Sequence, residues 1–398
     1  MSGARRTTAD HIGTGPGPAA PVGVDALLLV SFGGPQAPED VMPFLRTVTR
    51  GRGIPDQRLG EVAEHYHRFG GRSPINDQNR ALLAALKAEL APLPVYWGNR
   101  NWSPFLADAL AEMRRDGIGR AACFVTSAFA SYSGCRQYRE NLADARATVG
   151  PGVPELIKLR HYFDHPGFVL PMVDHVVDAL ATVPASSSDS TRLVFVAHSI
   201  PTAQAETSGL GGDAYPRQFA AAARAVADRV ASRTGRRHRY DLAYVSRSGP
   251  PDVPWLVPDI GDHLAALGAT DTMTAVVVVP IGFVSDHMEV VYDLDVEAAA
   301  RAGTAGLTFR RAATVGTDRR FVAMVRELLD ERRHGDVPRR ALSELGPSHD
   351  VCPLWCCAGR ARRPAAAGTP ADEEPTRNAT ASLDITDVAR EEPRGIRR

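Results

Sequence analysis

"VVVVPIGFVSDHMEVVYDLDVEA", Val276 to Ala298, sets the frame for the whole chain. Four consecutive valines leave no polar face, so they read as a strand covered on both sides, the habit of parallel sheets lying between helices. The strand stops at Pro280, and a segment carrying five acids follows Ser285. Helix starts favour acids, because free N–H groups and the helix dipole attract negative charge. That accounts for Asp286, most economically an N-cap, and for Glu289. It does not account for Asp293 and Glu297. Glu289, Asp293 and Glu297 fall at i, i+4 and i+8, one face of a regular helix, where like charges cost roughly a few tenths of a kcal/mol per pair. A ladder of carboxylates leading away from a strand end predicts a path for metal ions or protons.

Further apolar runs of this kind lie along the chain at 25–34, 94–100, 121–129, 156–162, 192–201, 240–248, 274–283 and 306–312. Between them, stretches such as 78–91, 215–233 and 318–333 carry helical periodicity. Strand–helix alternation with continuous apolar strands predicts an α/β protein of two doubly wound, Rossmann-like (flavodoxin-like) domains with parallel sheets and a cleft between them. The expected division is a flexible tail over 1–23, a first domain over 24–155 and a second over 156–317. A helix over 318–335 is then free to pack back on the first domain, and 336–398 forms a cysteine-containing, largely disordered tail. Ligands in such folds sit beyond the carboxyl ends of strands. Those ends are decorated here: Phe32-Gly33-Gly34, Asn99-Arg100-Asn101-Trp102, Ser127, His198-Ser199, Ser246-Arg247 and Ser285 through Glu289.

Formal net charge is zero, so no basic field points to nucleic acid. There is no apolar run of the roughly 18 residues a membrane helix needs, and no apolar signal region near the start. The expectation is a soluble, cytoplasmic protein without integral membrane association. "SFGGP" lacks a G-x-G-x-x-G pattern, which argues against a dinucleotide site and against a sugar-nucleotide transferase.

Among candidate site residues, a histidine at a strand terminus such as His198 is more often a structural hydrogen-bonder than a ligand. Glu289, at the analogous strand-to-helix switch of the same sheet, changes that balance, because imidazole plus carboxylate suits a divalent first-row ion and either group moves protons. His287 reads as a helix-start residue. His65, Tyr66 and His67 precede a Gly-Gly loop in which Arg72 and Ser73 are placed to bind an anion. Tyr138 reads as a packing aromatic, and "PWLVP" (254–258) as an apolar ledge for a flat ligand.

Taken together, "LLLVSFGGP", "YHRFGGRSPIN", "YWGNRNWSPF", "AHSIP", "SRSGPPDVPWLVPD" and "PIGFVSDHMEVVYDLD" resemble a ferrochelatase, over roughly residues 24 to 335. The resemblance implies an enzyme that inserts Fe(II) into a porphyrin held between two Rossmann-like domains. His198 and Glu289 become the metal-binding and proton-transferring pair, with the carboxylate opposite the imidazole. Asp293 and Glu297 become the relay behind Glu289, and Ser73 and Tyr138 contact the macrocycle and its propionates. Phe32 stands where some bacterial relatives carry an iron-ligating tyrosine. Soluble relatives of actinobacterial type imply coproporphyrin III as substrate, with protoporphyrin IX the alternative and a non-catalytic porphyrin carrier the rival, which would have no use for an acidic ladder.

Five cysteines without a secretory signal do not suggest a disulfide framework. Cys352, Cys356 and Cys357 cluster in "CPLWCC", a departure from common zinc spacings. Relatives carrying a [2Fe–2S] cluster place three cysteines in a C-terminal extension and one internally, so two readings stand. Either the three bind a cluster with Cys135 or Cys123 as fourth ligand, or they belong to an unstructured thiol-bearing tail.

Overall fold

The computed structural model describes residues 19–249, 252–270, 272–353, 355–359 and 368–369. The expected flexibility of residues 1–18, and the expected disorder of most residues after 359, lie outside the described residues. Strands β1 (Ala26–Ser31), β2 (Val95–Asn99), β3 (Arg120–Val125) and β4 (Glu155–Lys158) form one sheet in the order β2-β1-β3-β4. Strands β5 (Thr191–His198), β6 (Tyr240–Val245), β7 (Ala275–Val279) and β8 (Thr308–Arg311) form another in the order β6-β5-β7-β8. Every pairing in both sheets is parallel. All residues of β1 and β7 are buried, as their uninterrupted apolar sequences require. The eight strands are those read from sequence, each cut short at its carboxyl end, where the chain already turns into the loops that carry polar groups.

The helices are α1 (Val41–Val48), α2 (Asp56–His67), α3 (Ile75–Leu90), α4 (Leu106–Arg115), α5 (Gln137–Val149), α6 (Pro166–Ala181), α7 (Thr202–Glu206), α8 (Ala214–Thr234), α9 (Ile260–Gly268), α10 (Met288–Val291), α11 (Ala299–Thr304) and α12 (Arg319–His334). The inner faces of the two sheets share one core: Leu29 and Phe124 from the first and Phe195 and Val279 from the second meet Phe168, Phe219 and Phe321 from α6, α8 and α12. Burying one such phenylalanine contributes about 2–3 kcal/mol. The outer faces are closed separately, by α4 and α5 on the first sheet and by α9 and α11 on the second. Helix α12 packs on α6 and also on α3, which follows β1, so the end of the second half braces the first.

A buried ion pair ties these parts together. Arg160, just past β4, donates to both carboxylate oxygens of Glu331 on α12 at 2.6 and 2.9 Å, with both side chains at most 2% exposed. Arg160 also donates to the carbonyl of Arg340, anchoring the segment after α12. That segment runs back over the molecule: the Leu342 amide donates to the Asp164 carbonyl, Ser343 Oγ to Asp164 Oδ2, and Arg339 pairs with Asp350. Replacing Glu331 by Gln leaves the Arg160 charge buried without its counter-ion. We expect a loss of about 3–5 kcal/mol in urea-unfolding stability. Glu61→Gln, which breaks an exposed i,i+3 pair with Arg58, should cost less than about 1 kcal/mol in the same experiment.

Candidate functional site

In each sheet the strand order reverses direction beside a central strand, between β1 and β3 and between β5 and β7. These are the points where parallel α/β sheets open a crevice at their carboxyl edge. His198 is the last residue of β5, and Glu289 stands in the first turn of α10, reached through the loop leaving β7. That loop is pressed onto β5: the Gly282 amide donates to the Val196 carbonyl, and a Cβ at Gly282 would sit 2.5 Å from the Ala197 Cα. Only glycine permits so close an approach.

The two groups meet directly, His198 Nε2 lying 3.7 Å from Glu289 Oε1 with each side chain about one-third exposed. Atoms this close cannot flank a planar ring, each face of which needs about 3.5 Å of clearance. The expectation of a carboxylate opposite the imidazole is therefore not met in this structure, where the two groups lie side by side. His198 Nδ1 donates to the Ser199 carbonyl, which leaves Nε2 directed towards Glu289 and the cleft. Burial draws the imidazole pKa down, but the Glu289 charge and hydrogen bond, the Ser199 carbonyl and Asp293 outweigh it, and the net shift is upward. Burial pushes the Glu289 carboxyl up, yet His198 and His287 together take it down to about 2.

The helix start differs from its expected form. His287, not Asp286, is the N-cap of α10, its Nδ1 accepting the Glu289 amide at 3.2 Å. Asp286 instead accepts from Arg311 and Thr314. After one turn the helix widens into a π-turn over Asp293–Ala298, with the Glu297 amide bonded to the Tyr292 carbonyl five residues back. Regular α-helical stacking of the three acids is thus replaced by a wider turn, a form that recurs at functional sites. Asp293 is the pivotal member. Burial, and then the Glu289 and Glu297 charges, raise its carboxyl to about 7 against a donated hydrogen bond from Ser246. Glu297 is exposed and acts on His65, which stacks on Tyr292 with ring centroids 3.8 Å apart.

The opposite wall comes from the first sheet. The residues between β1 and α3 fold into α1 and α2, whose Phe44 packs edge-on against Phe32, Tyr66 and Trp102. The Arg100 guanidinium lies over the rings of Phe32 and Tyr138, at 5.6 and 4.9 Å. Its Nε, buried, has no hydrogen-bond partner among the described residues. Tyr138 is buried beneath it. Ser73 is buried against Gly34, its amide bonded to the Pro35 carbonyl, whereas Arg72 is paired with Asp77. Trp255 is not an exposed platform but packs on Gly249. Sequence reasoning missed Tyr215, whose hydroxyl donates to the His198 carbonyl at 2.7 Å; within a helix start, nothing in its local sequence marks that contact.

The sequence profile of the family described as Ferrochelatase matches residues 24–333. The chain belongs to the ferrochelatase family. A coproporphyrin III ferrochelatase of Frankia alni is 63% identical over 336 residues, 84% of this chain and 86% of that one. One of Streptomyces griseus is 57% identical over 364 residues, 87% and 97% of the two chains. A ferrochelatase of Rhodopirellula baltica is 49% identical over 348 residues, 86% and 96%. Among the described residues no helix is long and apolar enough to cross a membrane.

Beyond the part matched to the ferrochelatase family, the described tail carries its cysteines into the fold. Cys352, Cys356 and Cys357 are buried and pack with Cys135 of the 132–136 turn that leads into α5. Cys123 lies elsewhere, in the outer core of the first sheet, so it is not part of this group. All are free thiols, with Cys356 Sγ 3.8 Å from Cys357 Sγ and His349 Nε2 3.2 Å from Cys352 Sγ. Hydrogen bonds from Cys135 and Cys356, with Lys158 and Arg139 nearby, draw the Cys352 thiol well below its usual pKa against burial. Arg139 additionally donates to the Cys352 and Pro353 carbonyls. Four buried sulfurs, with His349, Cys352 and Cys356 offering ligand atoms within 4.8 Å of one another, form a donor set suited to soft-ligand metals.

The raised Asp293 carboxyl gives a signed pH expectation. Above its unfolded pKa near 4 the unfolded chain releases this proton first, so folded stability falls as pH rises from about 4 to about 7. Asp293→Asn removes that loss. Its stability should match the parent at pH 4 and exceed it at pH 8 by on the order of 1–2 kcal/mol after solvent screening, with a correspondingly higher melting temperature at pH 8 only. Thermal melts at the two pH values decide it.

Proposed function

We propose that this chain inserts Fe(II) into coproporphyrin III to give the iron porphyrin, with protoporphyrin IX the alternative substrate. The reading is carried by the direct approach of His198 Nε2 to Glu289 Oε1 at 3.7 Å, a span one divalent first-row ion bridges with bonds of about 2.1 Å to each. The names of the relatives at 57–63% identity favour coproporphyrin III. The macrocycle would lie in the cleft with Ser73, Tyr138 and Arg100 on the first wall, the Arg100 charge drawing a substrate carboxylate to that side. Two pyrrole protons must leave as one divalent ion enters. Once the ion has passed from Nε2 into the ring, the freed Nε2 lone pair of His198 takes one. Glu289, ionised over the working range, is a metal ligand rather than a base, and it stands beside Asp293, whose carboxyl near 7 can hold and release the second proton. Glu297 then offers an exposed exit. A carrier would need none of this.

The cysteine group belongs to the same reading. Cys135, Cys352, Cys356 and Cys357 would hold a [2Fe–2S] cluster, which needs four ligands. Bound there, it would supply a redox-active cross-link between the tail and the core, and binding of that kind is linked to folding.

The test is anaerobic incubation of Fe(II) with each porphyrin, followed by absorbance. Coproporphyrin III should be metallated at least ten times faster than protoporphyrin IX. His198→Ala should abolish insertion while porphyrin affinity, measured by fluorescence quenching, stays within a few fold. Turnover near the parental rate would remove His198 from the mechanism. In Glu289→Gln the His198 imidazole should titrate at lower pH, since the charge that raises it is gone; NMR of the ring protons reads this directly. Anaerobically purified protein should be brown and bleach on reduction, and serine at any one of the four cysteines should remove the colour. Colourless protein lacking iron and sulfide would refute the cluster and leave the catalytic reading standing.

A further inference from the structure

The cysteine group and His198 are joined by one short segment. Cys357 Sγ accepts the Gly209 amide at 3.1 Å, and Leu210 and Ala214 pack on the same sulfurs. Next to Gly209, the fully buried Ser208 donates through Oγ to the Ala205 carbonyl at 2.6 Å and accepts the Tyr215 amide at 2.8 Å. Tyr215, at the start of α8, donates its hydroxyl to the carbonyl of His198. Its ring is held edge-on against Phe129. The segment has little slack: Gly209 and Gly212 both have positive φ, and a Cβ on either would fall 2.4 Å from Ala214 Cβ or 2.6 Å from the Glu206 carbonyl. A shift at Cys357 is therefore passed on through packed, hydrogen-bonded backbone rather than absorbed in a loose loop.

From the other side, Cys135 sits three residues before Tyr138, and Gln218 Oε1 of α8 accepts the Ala130 amide at 2.8 Å. The sulfur group thus touches a wall of each half of the cleft.

We propose that Tyr215 is a positioning residue, through which the cysteine group sets the place of His198 at the end of β5. This deepens the reading given above and rests on it for what the sulfurs hold, while the contacts from Cys357 to Tyr215 are those of the chain itself. The His198 carbonyl needs the Tyr215 hydroxyl to fix the strand end, and Tyr215 needs Ser208 and Gly209 seated on Cys357. Misplacing a catalytic group by a fraction of an ångström lowers turnover with little effect on substrate binding.

The test is a double-mutant cycle on the full chain with Tyr215→Phe and Cys357→Ser, scored by kcat and KM for metal insertion and by amide hydrogen exchange. Each single change should lower kcat about five- to twenty-fold with KM within two-fold. The double variant should be no slower than the slower single one. Exchange in residues 207–215 and at the Ser199 amide should accelerate in Cys357→Ser, and at Ser199 in Tyr215→Phe. Iron and sulfide analysis of each variant separates the two ideas. Tyr215→Phe should keep the parental content, so its slower turnover cannot come from a lost cluster. If the parent itself contains no iron or sulfide, the cluster reading fails, and a non-additive cycle still establishes the coupling through the Cys357 contact. Multiplying effects on kcat, or unchanged exchange at Ser199, would overturn the proposal.

Discussion

A parallel sheet delivers the carboxyl end of every strand to one edge, and in this chain that constraint decides where chemistry can occur. Strands β5 and β7 are neighbours in register, with Phe195 beside Val279, so the residues that follow them emerge side by side. His198 needs only to be last in its strand, and Glu289 only to begin the helix after the other, for the two to meet. The Gly282 contact tightens that meeting by removing the space a side chain would take. Electrostatics follows from the geometry: an imidazole with one nitrogen committed to Ser199 presents the other to a carboxylate that holds its charge, and a second acid behind them is forced by burial into the neutral range.

The two halves repeat one topology, but they do different work. The first half spends its long β1-to-α3 connection on α1 and α2, giving an aromatic wall of Phe32, Phe44, Tyr66 and Trp102. The second half spends its β7-to-β8 connection on acids. A flat apolar ring and a hydrophilic ion can thus approach one locus from differently made surfaces. The shared inner core, with α6, α8 and α12 lying against both sheets, keeps those surfaces in fixed relation.

Much of this was legible in the sequence because the signals were local. Unbroken apolar runs such as Val276–Val279 can only be covered strands, and their alternation with amphipathic stretches implies parallel connections. His198 and Glu289 stood out for the same reason, as polar groups at the ends of those runs. What was not legible depends on backbone path. The widened turn at Asp293 breaks no residue pattern, so a regular helix was the natural expectation. The capping role of His287 over Asp286 is a matter of one residue in the loop. The contact of Tyr215 with the His198 carbonyl, and of Cys357 with the Gly209 amide, join residues far apart in sequence with no periodic trace. Likewise nothing in "CPLWCC" says that Cys135, rather than Cys123, faces it; the alternation of β3 turns Cys123 to the outer layer.

The return of the tail to Cys135 has a consequence for how the molecule comes into being. Cys135 and Cys352 are separated by roughly two hundred residues, so closing that loop carries a large entropic cost until both sheets and α12 already hold the ends near each other. The sulfur group is therefore among the last features to assemble, and on a ribosome it cannot form until the chain through Cys357 has emerged. Any metal it captures is captured by a finished fold, which makes the group a chemical marker that both sheets and α12 are in place.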